Sequence, residues 1–152
     1  MNSNALLQPA VEALCNRFQS SEAGVAAAID LAVLVAAADG RIDPAEMAAL
    51  STSLEAATKT HLAPTFVRHL VLASRQQIDA AGASTRARLL GETFAAQGCV
   101  DEGLRVGLLV AMASDGLSPV EREKIELVAQ AAGVSPERLD TLCRQLEATQ
   151  DA

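Results

Sequence analysis

Two short stretches of the chain place acidic residues where a helix is expected to end. Residues 36–46 read AAADGRIDPAE, and residues 111–123 read AMASDGLSPVERE. In both stretches an Ala-rich apolar run reaches Asp-Gly, and an Asp-Pro or Ser-Pro step with a Glu follows. Because the carboxyl end of a helix carries partial negative charge, an Asp there is disfavoured by a few tenths to about 1 kcal/mol. An acid placed twice at such a position requires an electropositive partner.

Two kinds of partner are compatible with this pattern. In the first, each Asp accepts hydrogen bonds from the free N–H groups that open the next helix, and so locks the turn. In the second, clustered oxygens bind a divalent cation, because hard cations prefer carboxylate ligands. Neither stretch has the length or the alternating acids of an EF-hand loop. The candidate metal ligands are Asp39, Asp43 and Glu46 in the first turn and, as a weaker set, Asp115, Ser118 and Glu121 in the second.

The remaining reactive residue types form no catalytic set. His61 and His69 lie just over two helical turns apart, so one metal ion cannot easily bind both, and surface roles are expected. Cys15, Cys99 and Cys143 are odd in number, far apart and placed in apolar stretches, so we expect reduced, buried thiols. The sequence contains no Gly-rich phosphate loop and no nucleophile elbow. It therefore predicts a protein that is not an enzyme and has no catalytic residues.

Charge and composition exclude several classes of partner. The chain has 152 residues and a net charge of −7, and only 2% of its residues are aromatic. An acidic surface repels phosphate, and base stacking needs aromatic side chains, so nucleic acid is not an expected partner. The N-terminal residues do not resemble a secretion signal, and the longest apolar run is interrupted by Asp30 and too short for a bilayer. We expect a soluble, cytoplasmic protein that does not insert into a membrane.

The positions of proline and glycine predict an all-α fold, because proline suits the first turn of a helix and glycine its end. Asp43 with Glu46, and Ser118 with Glu121, match the capping box that opens a helix. Ser84 or Thr85 is expected to cap the fifth helix. No segment shows the alternation of a strand. The predicted helices cover about residues 4–19, 22–39, 44–58, 64–81, 85–98, 100–114, 119–132 and 136–152.

Together these elements predict a compact single-domain bundle, residues 1–152, of about seven to eight helices. Two units with the order helix, Asp-Gly turn, helix occur as a pseudo-repeat. Their first members, helices two and six, are Ala-rich and mostly apolar, and are expected to pack side by side. Gly103 and Gly107 lie four residues apart on helix six, and such a face of small residues allows another helix to approach closely.

Charged residues inside or between these helices need a separate explanation. Asp30 interrupts the apolar helix two, where a lone carboxylate is costly. Either it faces a hydrated groove, or it pairs with a cation such as Arg105 on helix six. A local basic patch, Arg75, Arg86 and Arg88, surrounds one turn between helices. It either binds an anion or an acidic partner, or is simply a solvated turn.

The doubled acidic turns, the apolar helices before them and the chain length resemble the TerB-like family, which includes the tellurite resistance protein TerB. A related domain occurs in the DjlA-type membrane-anchored co-chaperones. The resemblance is strongest at about residues 25–50 and 103–140. It implies an all-helical fold without enzymatic activity, found in bacterial stress responses that include tellurite resistance. It also implies metal binding through acidic residues, and work beside membrane-embedded protein partners.

Carried over to this chain, the resemblance assigns the metal to Asp39, Asp43 and Glu46, and to Asp115 and Glu121. Ser118 stands in the second turn where the first has Asp43, so the second turn has fewer acids. The sequence thus predicts a stress-response or metal-tolerance binding module that takes a divalent cation as its cofactor and presents a helical surface to a protein partner. The alternative is a metal-free interaction domain whose acids only lock the turns between helices.

Overall fold

A computed structural model describes residues 3–18, 21–36, 44–58, 62–112 and 118–151. Within these residues it contains eight α-helices and no strand, which confirms the predicted all-α fold. The Asp-Gly steps of the predicted pseudo-repeat lie outside the described residues, so the repeat stays a prediction. The helices are α1 (Ser3–Cys15), α2 (Ser21–Ala36), α3 (Pro44–Thr58), α4 (Pro64–Ala81), α5 (Ala83–Gln97), α6 (Val100–Met112), α7 (Pro119–Ala131) and α8 (Pro136–Asp151).

Helices α2 and α6 form the centre of the bundle. Between Ala27 and Val35, every residue of α2 except Asp30 is buried. Most of α6 is buried in the same way, and Gly107 brings its backbone close to the side chain of Leu31 on α2. The two helices therefore pack side by side as predicted. Burying an aliphatic side chain of this size stabilises the fold by about 1.5–3 kcal/mol, so this pair supplies much of the folding free energy.

The other helices surround this pair and cover its apolar surface. Helix α1 packs on α3 and α6, α4 packs on α2, α5 packs on α7, and α8 contacts α6 and α7. Each contributes large buried side chains, such as Leu54 from α3, Phe94 from α5 and Leu142 from α8. No helix in the described parts of the chain has both the length and the apolar character that crossing a membrane requires.

Proline and glycine mark most helix ends where the sequence predicts them. Helices α3, α4, α7 and α8 all begin at a proline, and α4 ends just before Gly82. Helix α5 ends before Gly98, whose left-handed conformation (φ +69°) is readily adopted only by glycine. The predicted helix ends are confirmed at these positions.

Two predicted boundaries are wrong. The first helix ends at Cys15 rather than near residue 19, because the N–H groups of Arg17 and Phe18 bond to carbonyls three residues back and tighten the last turn. The fifth helix begins at Ala83 without a side-chain cap, and neither Ser84 nor Thr85 caps it. Gly82 instead serves as the cap residue of both α4 and α5, since its φ of +92° turns the chain sharply between them.

Helices α5 and α7 approach each other most closely at Gly91. A Cβ atom at this position would lie 2.4 Å from the carbonyl oxygen of Val128 and 2.7 Å from the Cβ of Ala131. These atoms belong to the backbone and to a short side chain, so they cannot move aside without shifting α7. The contact therefore requires glycine at position 91.

We predict that Gly91→Ala lowers the free energy of unfolding by about 1–3 kcal/mol, the usual cost of inserting a methyl group into a filled interface. Gly107→Ala is the matched control, because its new Cβ would lie at an ordinary contact distance of 3.4 Å from Leu31. It should be neutral or stabilising by about 0.5–1 kcal/mol through helix propensity. Urea unfolding followed by far-ultraviolet circular dichroism measures both; an equal effect of the two substitutions would contradict the prediction.

Candidate functional site

The predicted metal ligands fall mostly outside the described residues. Asp39, Asp43 and Asp115 lie in stretches that the structure does not describe, and the side chain of Glu46 on α3 is also outside it. Among the residues that are described, no three His, Cys, Asp or Glu side chains lie close enough together to hold a metal ion. The metal assignment of these residues therefore stays a prediction, and only Ser118 and Glu121 can be examined directly.

Ser118 and Glu121 form the predicted capping box at the start of α7. The backbone N–H of Glu121 donates to Ser118 Oγ at 3.1 Å, and the N–H of Ser118 donates to Glu121 Oε1 at 3.1 Å. Ser118 has an extended backbone, and Pro119 occupies the first helical position. Two N–H groups that would lack partners at the helix start are thereby satisfied.

Glu121 is held at the start of α7 by its position in the helix and by burial. Its side chain lies in the first turn of α7, where the partial positive charge of the helix N-terminus stabilises an anion. The residue is also only 4% exposed, so its carboxylate is held in place rather than free in solvent. At least one oxygen of this candidate ligand is thus already engaged in locking the second turn.

The carboxylate of Asp30 has partners that the sequence analysis missed. Ser74 Oγ on α4 donates to Asp30 Oδ1 at 2.5 Å, and Arg86 Nη2 on α5 donates to Asp30 Oδ2 at 2.9 Å. The partner proposed from the sequence, Arg105, is therefore wrong. The Asp30 side chain is 19% exposed and Ser74 only 4%, so protein groups rather than solvent supply most of the surroundings of the carboxylate.

The ion pair of Asp30 and Arg86 joins α2 to α5, and the hydrogen bond from Ser74 adds α4. The Arg86 side chain is 21% exposed, and its Nε is buried without a hydrogen-bond partner among the described residues. The interaction with Asp30 therefore supplies most of the energy that offsets the desolvation of the guanidinium. A half-buried pair of this kind is costly to break from one side, because the remaining charge keeps its desolvation penalty.

The predicted basic patch of three arginines is not one surface. Arg86 turns inward to Asp30, while Arg75 forms an exposed ion pair with Asp79 at 3.5 Å. Arg88 is exposed on α5. Because the three side chains serve different roles, the structure gives no support to a shared anion site.

The remaining candidates agree with packing and surface roles. All three cysteines are free and buried. Burial raises the pKa of the Cys15 and Cys143 thiols, and burial together with nearby Glu102 raises the pKa of Cys99 to about 11. The thiols are thus protonated at neutral pH and poor nucleophiles. His69 is exposed on α4, as expected, and His61 lies outside the described residues.

We predict that Asp30→Ala lowers the free energy of unfolding by about 1–3 kcal/mol, because it leaves the Arg86 guanidinium and the Ser74 hydroxyl without an acceptor. The control, Asp79→Ala, removes a carboxylate that is 67% exposed and should cost less than about 0.5 kcal/mol. In urea unfolding, the double variant Asp30→Ala/Arg86→Ala should lose less than the sum of its single variants. Strict additivity would mean that the pair does not stabilise the fold.

We predict that Ser118→Ala lowers the free energy of unfolding by about 1 kcal/mol through loss of the helix cap. Ser84→Ala is the matched control, because Ser84 is an exposed serine in the first turn of α5 that caps nothing. Thermal unfolding at one fixed protein concentration compares the two variants. A loss of the same size in Ser84→Ala would show that the effect is not due to the cap.

Comparison with protein-family models matches residues 25–144 to the family described as tellurite resistance protein TerB. The matched segment includes both acidic turns and every predicted metal ligand. Comparisons with curated proteins and with solved structures gave no match. Because the family match covers most of the chain and agrees with the resemblance seen in the turns, the chain belongs to the TerB family.

Proposed function

We propose that this chain is a non-enzymatic TerB-family binding module of a bacterial stress-response or metal-tolerance pathway. It binds a divalent cation at its acidic turns in the cytoplasm and presents a helical surface to a protein partner that is embedded in a membrane. The observation that carries this proposal is the family match, which spans both turns. The family description also supports a role in tellurite resistance or a related tolerance.

The first turn is proposed as the stronger cation site. It offers three carboxylates, from Asp39, Asp43 and Glu46, whereas the second turn has a serine in place of the middle acid. In the second turn a cation also has to compete with the capping box, because Glu121 accepts a hydrogen bond from the N–H of Ser118. The larger number of carboxylates favours tighter binding of a hard cation at the first turn.

The proposed mechanism couples the cation to the geometry of α2 and α3. Two carboxylates about 4 Å apart repel each other by about 4 kcal/mol at the effective dielectric constant of a protein surface. A cation between them removes this repulsion and adds attraction, so it favours the arrangement in which the end of α2 and the start of α3 are held together. Binding energy is thereby converted into local rigidity.

The alternative function is a metal-free interaction domain in which the acids only lock the turns. The observation in its favour is the capping box of Ser118 and Glu121, which locks one turn without an ion. The two proposals differ in what the Asp39 carboxylate contributes. In the metal-free protein, Asp39→Ala lowers stability equally with and without divalent ions; in the cation-binding protein the loss grows when the ion is present.

We predict that calorimetric titration with calcium, magnesium, manganese and zinc detects binding of at least one ion to the native chain. The variant Asp39→Asn/Asp43→Asn should bind that ion at least about tenfold more weakly, a loss of about 1.4 kcal/mol. The same ion should raise the midpoint of thermal unfolding of the native chain but not of the variant. Asp115→Asn, in the weaker set, should have a smaller effect.

The control for this titration is Asp79→Asn, which removes an exposed carboxylate far along the chain from both turns. It makes the net charge one unit less negative, as each single turn substitution does, and should leave the affinity unchanged. If no ion binds the native chain, or if Asp79→Asn weakens binding as much as the turn variant does, the cation proposal fails and the metal-free alternative stands.

A further inference from the structure

A groove lies between α3 and α4. Its cavity volume is about 540 Å³. Helix α3 buries Leu50 and Leu54, and α4 packs on α2 rather than along α3, so the two helices leave a gap between them. The lining residues are Pro44, Met47, Ala48, Ser51 and Thr52 from α3, with Pro64 and Arg68 from α4.

The two walls of this groove have the spacing of helix faces. On α3 the lining residues follow the i, i+3, i+4, i+7 pattern over two turns, about 10 Å. On α4, Pro64 and Arg68 are four residues apart, and Leu72 continues the same row with 54% of its surface exposed. An apolar groove of this length between two helices suits one face of an amphipathic helix.

The described lining of the groove does not share the negative charge of the whole chain. The whole chain carries a net charge of −7, yet none of the described side chains that line the groove is a carboxylate, and one is Arg68. Arg68 is exposed and has no ion-pair partner among the described residues. Glu55, one turn farther along α3, instead accepts a hydrogen bond from the N–H of Leu62 at 3.2 Å.

We propose that the groove between α3 and α4 binds an amphipathic helix of a partner protein that places a carboxylate against Arg68. A second copy of this chain is a poor occupant, because it brings another net charge of −7 and another Arg68 to the same place. Nucleic acid is a poor occupant because the acidic chain repels phosphate. The partner helix would bind to the helical surface named in the proposed function. In this respect the proposal rests on that function.

The test is a selection from a library of displayed helical peptides. All peptides have the same apolar face, and the positions on either side of that face are randomised. The full chain should enrich Asp or Glu at one flanking position, whereas Arg68→Glu should enrich Lys or Arg there. Arg88→Glu is the matched control, an exposed arginine on α5, and should select the same peptides as the native chain. Replacing the enriched acid by Lys in a selected, fluorescently labelled peptide should weaken binding to the native chain at least about tenfold.

A second measurement locates the peptide. In amide NMR spectra the shifts on peptide addition should concentrate at residues 44–52 and 64–72. The proposal is overturned if no peptide is enriched, if the charge preference survives Arg68→Glu, or if the shifts lie on other helices. The selection is repeated in chelator and in the ion found by calorimetry, which separates the two proposals. If acidic peptides are selected but no ion binding is detected, the cation proposal fails and the groove proposal stands.

Discussion

The burial of α2 on almost every side is the constraint on which the rest of the structure depends. A helix of alanine, valine and leucine can be surrounded only if neighbouring helices approach from all directions, and α4, α5, α6 and α7 all contact it. An unpaired charge on the buried part of such a helix would be strongly destabilising. The one carboxylate in its buried stretch, residues 27–35, is Asp30, and it is held by Ser74 and Arg86 from two different neighbours. Satisfying that charge also fixes how α4 and α5 lie on α2.

The same electrostatic reasoning applies to the two turns that follow the apolar helices. A carboxylate is disfavoured at the end of one helix and favoured at the start of the next. Its interaction with the helix dipoles therefore changes from repulsive to attractive within the turn. At the second turn, Glu121 and Ser118 show how an acid and a hydroxyl satisfy the start of α7. The first turn has an additional carboxylate for the same kind of helix start, and this excess negative charge is the reason for proposing a cation there.

The features predicted well from the sequence are those that depend on neighbouring residues. Pro64 with Gly82 bounds α4, and Ser118 with Glu121 caps α7, because these signals act within one turn of the chain. The partner of Asp30 was not predictable in this way, since Arg86 lies 56 residues along the chain and only the fold brings it close. Gly91 is similar, because its contact with Val128 depends on how α5 and α7 pack. The candidate site was predictable as a pattern of acids, but ligand geometry depends on how two helix ends meet, which local rules do not determine.

The proposed cation turn and the proposed groove are connected by a single peptide bond. Asp43 is a candidate ligand, and the next residue, Pro44, both begins α3 and lines the groove. Proline fixes its own φ at this junction, which restricts the backbone between the candidate ligand and the first turn of α3. Met47 and Ser51 lie on the same face of that helix and would move with it. If a cation at the proposed turn changes the affinity of the proposed groove for a helix, linkage requires that the bound helix change the affinity for the cation by the same factor.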